Sequence, residues 1–158
     1  MAAAPSPDEF RAAMARLPTG VTVVCAPSEA GPLGATANAV TSLSLDPPLM
    51  LAALDVGSRT LGAARASGRF GVSALGGGQE AVARAFATKA PHAEKWADVP
   101  WREEAGVPIV EGVPLWVACE LREEHSEGDH VILIGSVRAL GGTDGEALLF
   151  HGGSYRTT

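Results

Sequence analysis

The most constraining feature of this sequence is a succession of short apolar stretches with little helical pattern between them. β-Branched residues fill Val21 to Cys25, an apolar run of strand length covers Leu49 to Leu54, and Arg69 to Leu75 is predicted as a further strand. The 19 glycines and 11 prolines supply many turns, which suits short strands better than a helical bundle. Because parallel strands need long crossover connections, this order predicts an antiparallel barrel or sandwich with helices attached.

Three short helices are predicted among these strands. Ser6 can cap the first of them, and Glu9 completes a capping box with it. Within that helix Phe10, Met14 and Leu17 fall on one apolar stripe. The predicted helices run from Pro7 towards Pro18, from Ser58 or Thr60 to Ala66, and from Gln79 to Thr88.

The second half of the chain combines a predicted hairpin with a long irregular segment. Trp116 to Glu124 and His130 to Leu140 have the pattern of two paired strands. Between Lys89 and Val113 periodicity is lost, and the segment is unusually long for a loop in a compact domain. It carries Trp96 and Trp101. Aromatic residues concentrate in interface cores, so we expect a partner subunit to cover this loop, which predicts a homodimer.

Size and charge limit the class of protein. A chain of 158 residues without an internal repeat or linker predicts a single domain over residues 1–158. With 46% hydrophobic and 19% charged residues it is not a disordered chain. A net charge of −6 without a dense basic run disfavours nucleic acid and anionic membranes as partners. No apolar stretch is long enough to span a bilayer and no signal-peptide pattern is present, so we expect a cytoplasmic protein.

Several familiar catalytic patterns are absent or weak. Cys25 and Cys119 lie in separate apolar stretches, which favours buried free thiols over a disulfide. The four histidines lack metal-ligand spacing, so no metal is predicted, and most of them are interpreted as solvated loop residues. Gly76 to Ala81 formally satisfies a dinucleotide fingerprint, but no second parallel strand follows it. We interpret that segment as a flexible strand-to-helix turn.

Two segments carry the candidate chemistry. In Gly34 to Pro48, small hydroxyl and amide side chains interrupt an extended stretch. Their donors and acceptors can form hydrogen bonds with the edge of a flat polar ring. The alternative is an ordinary edge strand rich in threonine and serine. Ser58-Arg59-Thr60 begins a predicted helix, whose free N–H groups and Arg59 guanidinium suit a phosphate. The alternative there is a plain helix cap with a solvated arginine.

These residues resemble the flavin reductase-like family, which includes the small reductase components of two-component flavin monooxygenases. The resemblance runs from about Phe10 to Tyr155. Its most specific part is Gly34-x-Thr36-Ala37-Asn38 followed by Thr41-Ser42-Leu43-Ser44-x-Asp46-Pro47-Pro48. The other blocks, in the order typical of the family, are Pro18 to Val24, Phe70-x-Val72-x-x-Leu75, Ala85-Phe86-Ala87, and Gly128-Asp129-His130 with Ile134-Gly135-x-Val137.

The resemblance implies a fold and an activity. The fold is mainly β with short helices, a six-stranded antiparallel Greek-key split β-barrel that forms a homodimer with flavin near the subunit interface. The implied activity is transfer of hydride from NADH or NADPH to FMN or FAD, with the reduced flavin serving a partner monooxygenase. Such a protein positions and tunes the two rings and needs no metal. An alternative on the same fold is a flavin-binding carrier or complex subunit without turnover.

The resemblance also implies individual site residues. His130 is the expected catalytic residue, at the place where the nicotinamide docks. Gly76, Gly77 and Gly78 depart from the ordered turn of the family, and a looser turn there is expected to widen the pocket. The implied cofactor-binding residues are Thr36, Ala37 and Asn38 at the isoalloxazine, Ser42, Leu43 and Ser44 along the ring and ribityl chain, Ser58, Arg59 and Thr60 at the phosphate, Phe86 and Lys89 closing that end, and Tyr155 at the edge of the nicotinamide pocket.

Overall fold

The computed structural model describes Met1 and residues 3–158. The described chain is mainly β, its sheets are antiparallel, and its helices are short, as predicted. The helices are α1 (Pro7–Met14), α2 (Arg59–Ser67), α3 (Glu80–Phe86) and α4 (His92–Trp96). The strands are β1 (Thr19–Gly20), β2 (Thr22–Ala26), β3 (Leu33–Ala37), β4 (Val40–Leu45), β5 (Pro48–Asp55), β6 (Arg69–Ala74), β7 (Trp101–Glu104), β8 (Val107–Val110), β9 (Leu115–Glu127), β10 (His130–Gly141), β11 (Leu148–His151) and β12 (Ser154–Thr157).

Helix α1 begins where the capping box predicts. The Ser6 hydroxyl accepts from the Glu9 N–H at 3.3 Å, and the Glu9 carboxylate accepts from the Ser6 N–H at 2.8 Å. No residue of α1 is buried, and Phe10, Met14 and Leu17 are all exposed. The predicted apolar stripe therefore does not pack on its own chain. None of the helices in the described ranges has the length and apolar character that a bilayer crossing requires.

The main sheet has seven antiparallel strands in the order β3-β2-β6-β9-β10-β5-β4. Its edge strands β3 and β4 are joined by only Asn38 and Ala39, so the sheet curls until its edges meet at that corner. There the Ala53 N–H donates to the Ala39 carbonyl at 2.9 Å. A closed six-stranded barrel is not confirmed, because β4 folds back on β5 as an additional edge strand and, among the residues described, no ladder joins it to β3.

The core lies on both faces of the curled sheet. Strand β2 shows the alternation directly, since Val23 and Cys25 join one buried cluster and Val24 and Ala26 join the other. Its side chains are buried on both faces, which explains its continuous apolar pattern. Cys25 and Cys119 are buried free thiols, as predicted. Burial raises the pKa of both, that of Cys119 to about 12, so neither is a reactive thiolate at neutral pH.

The prediction of an irregular loop from Lys89 to Val113 is wrong. The segment contains α4 and the β7–β8 hairpin, whose turn places Ala105 and Gly106 at φ values of 48° and 80°. Trp96 is buried, and its ring meets that of Phe86 edge-on at 4.7 Å. Trp96 is therefore covered by its own chain, whereas Trp101 remains exposed at 42%. The reason given above for a partner subunit does not hold for Trp96.

The expected loosening of the turn at Gly76 to Gly78 is also wrong. The Gly76 N–H donates to the Gln79 side-chain oxygen at 2.8 Å, and the Gly77 N–H donates to the Glu146 carbonyl at 2.9 Å. The Gly76 backbone also forms a β-bridge with Ala147. The turn is thus fixed, and it faces a cavity beside residues 143–146 that shares no lining residue with the cleft described next.

Candidate functional site

A continuous cleft lies between β3, the end of β5 and helix α2. It consists of two adjoining cavities, of about 350 and 500 Å³, which share Ala35, Thr36, Asp55 and Ser58 in their linings. His130 lies at one end and Lys95 at the other. The cleft is lined by residues 34–39, 53–55, 57–60 and 86–89 together with His92, Lys95 and His130.

Strand β3 forms the floor of the cleft with small side chains. The Thr36 hydroxyl donates to the Ala83 carbonyl at 2.7 Å, and the amide of Asn38, the residue after the strand, donates to the Thr19 hydroxyl at 3.2 Å. Both polar side chains are thereby held in place. The buried Thr22 hydroxyl donates to the Ala37 carbonyl at 2.7 Å. Because Ala35 and Ala37 carry only methyl groups, a flat ring can approach the strand backbone closely.

The N-terminus of α2 opens into the same cleft. The Asp55 carboxylate accepts from the Gly57 N–H at 2.8 Å, which forms the tight turn from β5 into the helix. Ser58, rather than Thr60, is the cap, and its hydroxyl accepts from the Leu61 N–H at 3.4 Å. The first N–H groups of a helix have no partner within it. Thr60 is 1% exposed, and its hydroxyl oxygen has no hydrogen-bond partner in the described structure.

Cationic side chains concentrate at this end of the cleft. Arg59, Lys89 and Lys95 line it, and none of them pairs with a carboxylate anywhere in the described ranges. Arg59 donates to the Ala90 carbonyl at 2.8 Å and so ties α2 to the segment before α4. Lys95 is only 7% exposed, and burial and the nearby Arg59 lower its pKa. A buried lysine without an acidic partner indicates an anionic ligand.

His92 also lines the cationic end, so the interpretation of most histidines as solvated loop residues does not hold for this one. Its Nδ1 accepts from the Gly34 N–H at 3.3 Å across 58 positions of sequence. Burial, together with the nearby charges of Lys95 and Arg59, lowers the pKa of His92 to about 4. In the described part of the chain, no histidine belongs to a group of three or more side chains suited to a metal ion.

The His92 pKa predicts a specific acid sensitivity of the fold. An unfolded histidine has a pKa of about 6.5, so between that pH and about 4 the unfolded chain binds a proton that the folded His92 does not. The contribution of His92 to stability is therefore complete above about pH 6.5 and is lost as the pH falls towards 4. Thermal unfolding of the wild type and of His92→Gln from pH 7.5 to 5 checks this. Carboxylate titrations affect both proteins alike, so the wild type should lose more stability than His92→Gln as the pH falls. Parallel curves of melting temperature against pH would contradict the prediction.

His130 occupies the opposite end of the cleft, at the start of β10. Its backbone pairs with that of Asp55 on β5, which brings it beside the cleft floor. Its Nδ1 lies 2.8 Å from the Asp129 carboxylate, and its side chain is about half exposed. The hydrogen bond with His130 lowers the pKa of Asp129. Because a carboxylate only accepts, Nδ1 carries the proton of this contact, and Nε2 remains available to a ligand.

The structure brings together most, not all, of the residues implied by the resemblance. Tyr155 lies in a neighbouring cavity of about 200 Å³ that shares Thr36, Asn38 and Ala87 with the cleft. Ser42, Leu43 and Ser44 lie outside the cleft on β4, where Leu43 forms a bulge. The implied residues that line the cleft are Thr36, Ala37, Asn38, Ser58, Arg59, Thr60, Phe86, Lys89 and His130.

Three titratable residues that line the cleft were not assigned to the site from the sequence. Asp55 lines both cavities, while His92 and Lys95 line the cationic one. His92 and Lys95 are three positions apart on α4, a spacing that places them on one face of a helix. That spacing was the available signal, and the signal was weak because α4 has only 5 residues.

Comparisons with known proteins agree on one family. A family model described as a flavin reductase-like domain matches residues 14–158. A probable flavin reductase of Rhizobium meliloti is 40% identical over 96% of this chain. This chain spans about half of that relative, 49% of its length. A reductase subunit of a flavin-dependent monooxygenase from Mycobacterium tuberculosis is 35% identical, over 98% of this chain and 84% of its own.

The solved structures give the same result for the fold. An NADH:FAD oxidoreductase of Streptomyces globisporus, in complex with NAD and FAD fragments, superposes with a TM-score of 0.88. It is 34% identical to this chain, and the match covers 98% of this chain and 96% of that one. The likeness therefore extends over essentially the whole fold.

Proposed function

Because this chain belongs to the flavin reductase-like family, we propose that it oxidises NADH or NADPH and reduces a flavin, FMN or FAD, in the cleft between β3 and α2. The reduced flavin then serves a partner monooxygenase. The reductase subunit from Mycobacterium tuberculosis supports this partner class, and the complex of the Streptomyces globisporus enzyme supports the two nucleotides. As a protein unit we propose one flavin reductase domain over residues 1–158.

The observation that carries the proposal is the order in which the chemical groups follow one another along the cleft. Cations without acidic partners in the described structure lie at one end, a floor of small side chains lies in the middle, and His130 lies at the other end. A flavin nucleotide has the matching order, with a phosphate-bearing chain at one end and a flat ring at the other. The buried, unpartnered Thr60 hydroxyl supplies a further polar group at the phosphate end.

Different residues of the cleft would bind different parts of the flavin and of the nicotinamide nucleotide. The N-terminus of α2, with Arg59, Lys89 and Lys95, would hold the phosphate. Thr36 and Ala37 of strand β3, with Asn38 directly after it, would hold the ring edge. His130 would orient the nicotinamide. A bound flavin supplies the hydride acceptor, and the protein positions and tunes the two rings.

Steady-state assays test the proposed activity. Purified protein is mixed with NADH or NADPH and with FMN, FAD or riboflavin, and oxidation is followed at the nicotinamide absorbance band. We expect oxidation that depends on both protein and flavin. Absence of oxidation with every pair of nucleotides would refute the proposed activity.

We also propose that the chain is a homodimer and that β4 lies at the subunit interface. Leu43 and Leu45 of this edge strand are exposed, Leu45 at 92%, and edge strands with exposed apolar residues are prone to pair. This location would place Ser42, Leu43 and Ser44 near a flavin held at the interface. The curled sheet, with β4 as its additional strand, would then be one half of a split-barrel dimer.

Light scattering checks the dimer and its interface. The wild type should have twice the 16.1 kDa mass of one chain. Leu45→Lys should shift the population towards single chains, because it places a charge in an apolar contact. Leu140→Lys, at another exposed leucine on β10, is the matched control and should not. A wild-type mass of one chain would contradict the dimer, and an unaffected Leu45→Lys dimer would contradict the location of the interface.

A further inference from the structure

The cationic end of the cleft contains one histidine that the proposed function does not require. His92 lies on α4 and lines the cleft beside Arg59, Lys89 and Lys95. We propose that His92 determines specificity for phosphorylated flavins, by donating its Nε2–H to the phosphate of the bound nucleotide. This inference rests on the proposed function, because it assumes that a flavin phosphate occupies this end.

The hydrogen bond to Gly34 fixes the tautomer of the ring. A backbone N–H can only donate, so Nδ1, at 3.3 Å from the Gly34 nitrogen, must be the acceptor. In a neutral imidazole the proton then lies on Nε2. Protonation of Nδ1 would break the contact with Gly34. The lowered His92 pKa, about 4, agrees with a ring that stays neutral at physiological pH.

The surroundings of His92 hold this ring in place from two sides. Gly34 lies on the edge strand β3, and a side chain there would collide with Phe86, whose ring atoms lie 2.7 and 2.9 Å from the position of a Cβ. Phe86 in turn packs edge-on against Trp96, which belongs to the same helix as His92. The close packing of Phe86 over Gly34 therefore brings α4 to the strand, and the Gly34 N–H orients the imidazole.

A neutral donor suits this position better than another cation. Arg59, Lys89 and Lys95 already contribute charge, and an imidazolium among them would add repulsion when no ligand is bound. The neutral Nε2–H adds a directed hydrogen bond without that cost. A phosphate offers several acceptor oxygens, whereas riboflavin ends in a hydroxyl at the same point. His92 should therefore contribute to binding of FMN and not of riboflavin.

Binding titrations without any nicotinamide nucleotide test the proposal. FMN and riboflavin are titrated into the wild type, His92→Phe and His92→Gln. His92→Phe keeps a ring but has no polar hydrogen, so it should weaken FMN at least about fivefold and change riboflavin less than about twofold. Glutamine has a neutral acceptor and donor, so His92→Gln should recover most of the lost FMN affinity. Equal weakening of both ligands by His92→Phe, or no weakening, would overturn the proposal.

A measurement on the unmodified protein covers the case in which a variant fails to fold. The nitrogen-15 spectrum of the 4 histidines should show one ring, assigned to His92, with the proton on Nε2. That Nε2 signal should shift on addition of FMN and not of riboflavin. A Nδ1–H tautomer, or an identical response to both flavins, would overturn the proposal.

The two proposals fail in distinguishable ways. One outcome is that the wild type binds FMN, that His92→Phe weakens FMN more than riboflavin, and that neither NADH nor NADPH is oxidised. In that case only the proposed activity fails. If it oxidises NADH while FMN and riboflavin bind His92→Phe in the same ratio as the wild type, only the role of His92 fails. If no flavin binds the wild type, both are overturned.

Discussion

Replacing Arg59 with alanine is expected to weaken FMN binding by about 1.5–3 kcal/mol, at least about tenfold, and to change riboflavin binding little. Arg59 is the first residue of α2, so its guanidinium and the helix N-terminus face the same ligand group. The hydrogen bond to the Ala90 carbonyl engages one of its five donors and orients the others. The loss should therefore be confined to the ligand that carries a phosphate.

Arg65 supplies the matched control for this experiment. It lies on the same helix, pairs with Glu124 at 2.8 Å and does not line the cleft. Titration of FMN and riboflavin into Arg59→Ala, Arg65→Ala and the wild type gives the affinities required. If Arg59→Ala weakens both flavins equally, or if Arg65→Ala has the same effect as Arg59→Ala, Arg59 does not bind the phosphate.

Replacing His130 with alanine is expected to lower kcat/KM for NADH at least about tenfold, or roughly 1.4 kcal/mol of transition-state stabilisation. Flavin affinity and thermal stability should stay close to those of the wild type. With Nδ1 held by Asp129 at 2.8 Å, Nε2 is an acceptor suited to the carboxamide N–H of a nicotinamide. Small misplacements of the reacting rings can cost on the order of 100-fold in rate, which is why an orienting residue has so large an effect.

His125 supplies the control on the same hairpin. It is exposed on β9, lies 3.5 Å from Glu123 and does not line the cleft, so His125→Ala should reduce flavin at the wild-type rate. Stopped-flow reduction of the flavin-loaded proteins by NADH is the measurement. An unchanged rate for His130→Ala would remove His130 from the site and leave it as an exposed hairpin residue.

The parts of the site that could be predicted from the sequence are those that are contiguous in it. Thr36 to Asn38 cover the end of β3 and the residue after it, and Ser58 to Thr60 cover the cap and first turn of α2, so local pattern and resemblance were enough to select them. His130 was selected because it follows a glycine turn in a recognisable block. The structure adds that these three segments line one cleft.

The parts that were missed depend on contacts distant in sequence. His92 and Lys95 lie on a helix too short to show periodicity, and His92 is fixed by a hydrogen bond to Gly34. Trp96 was taken as a residue awaiting a partner, whereas Phe86 of the same chain covers it. Ser42 to Ser44 were assigned by resemblance, but the single chain places them on an edge strand outside the cleft. Neither the hydrophobic pattern nor the composition of the sequence predicts packing between such distant residues.

The most direct test of the central claim, that this cleft both holds a flavin and reduces it, is anaerobic stopped-flow mixing of FMN-loaded protein with NADH. The flavin absorbance band should bleach as the nicotinamide band decays, in equal molar amounts. At an FMN concentration near the wild-type Kd, Lys95→Ala should lose bound FMN and with it most of this signal, because Lys95 is a buried cation of the phosphate end. A protein that binds FMN and stays oxidised after NADH is added would contradict the claim and indicate a flavin-binding protein without turnover.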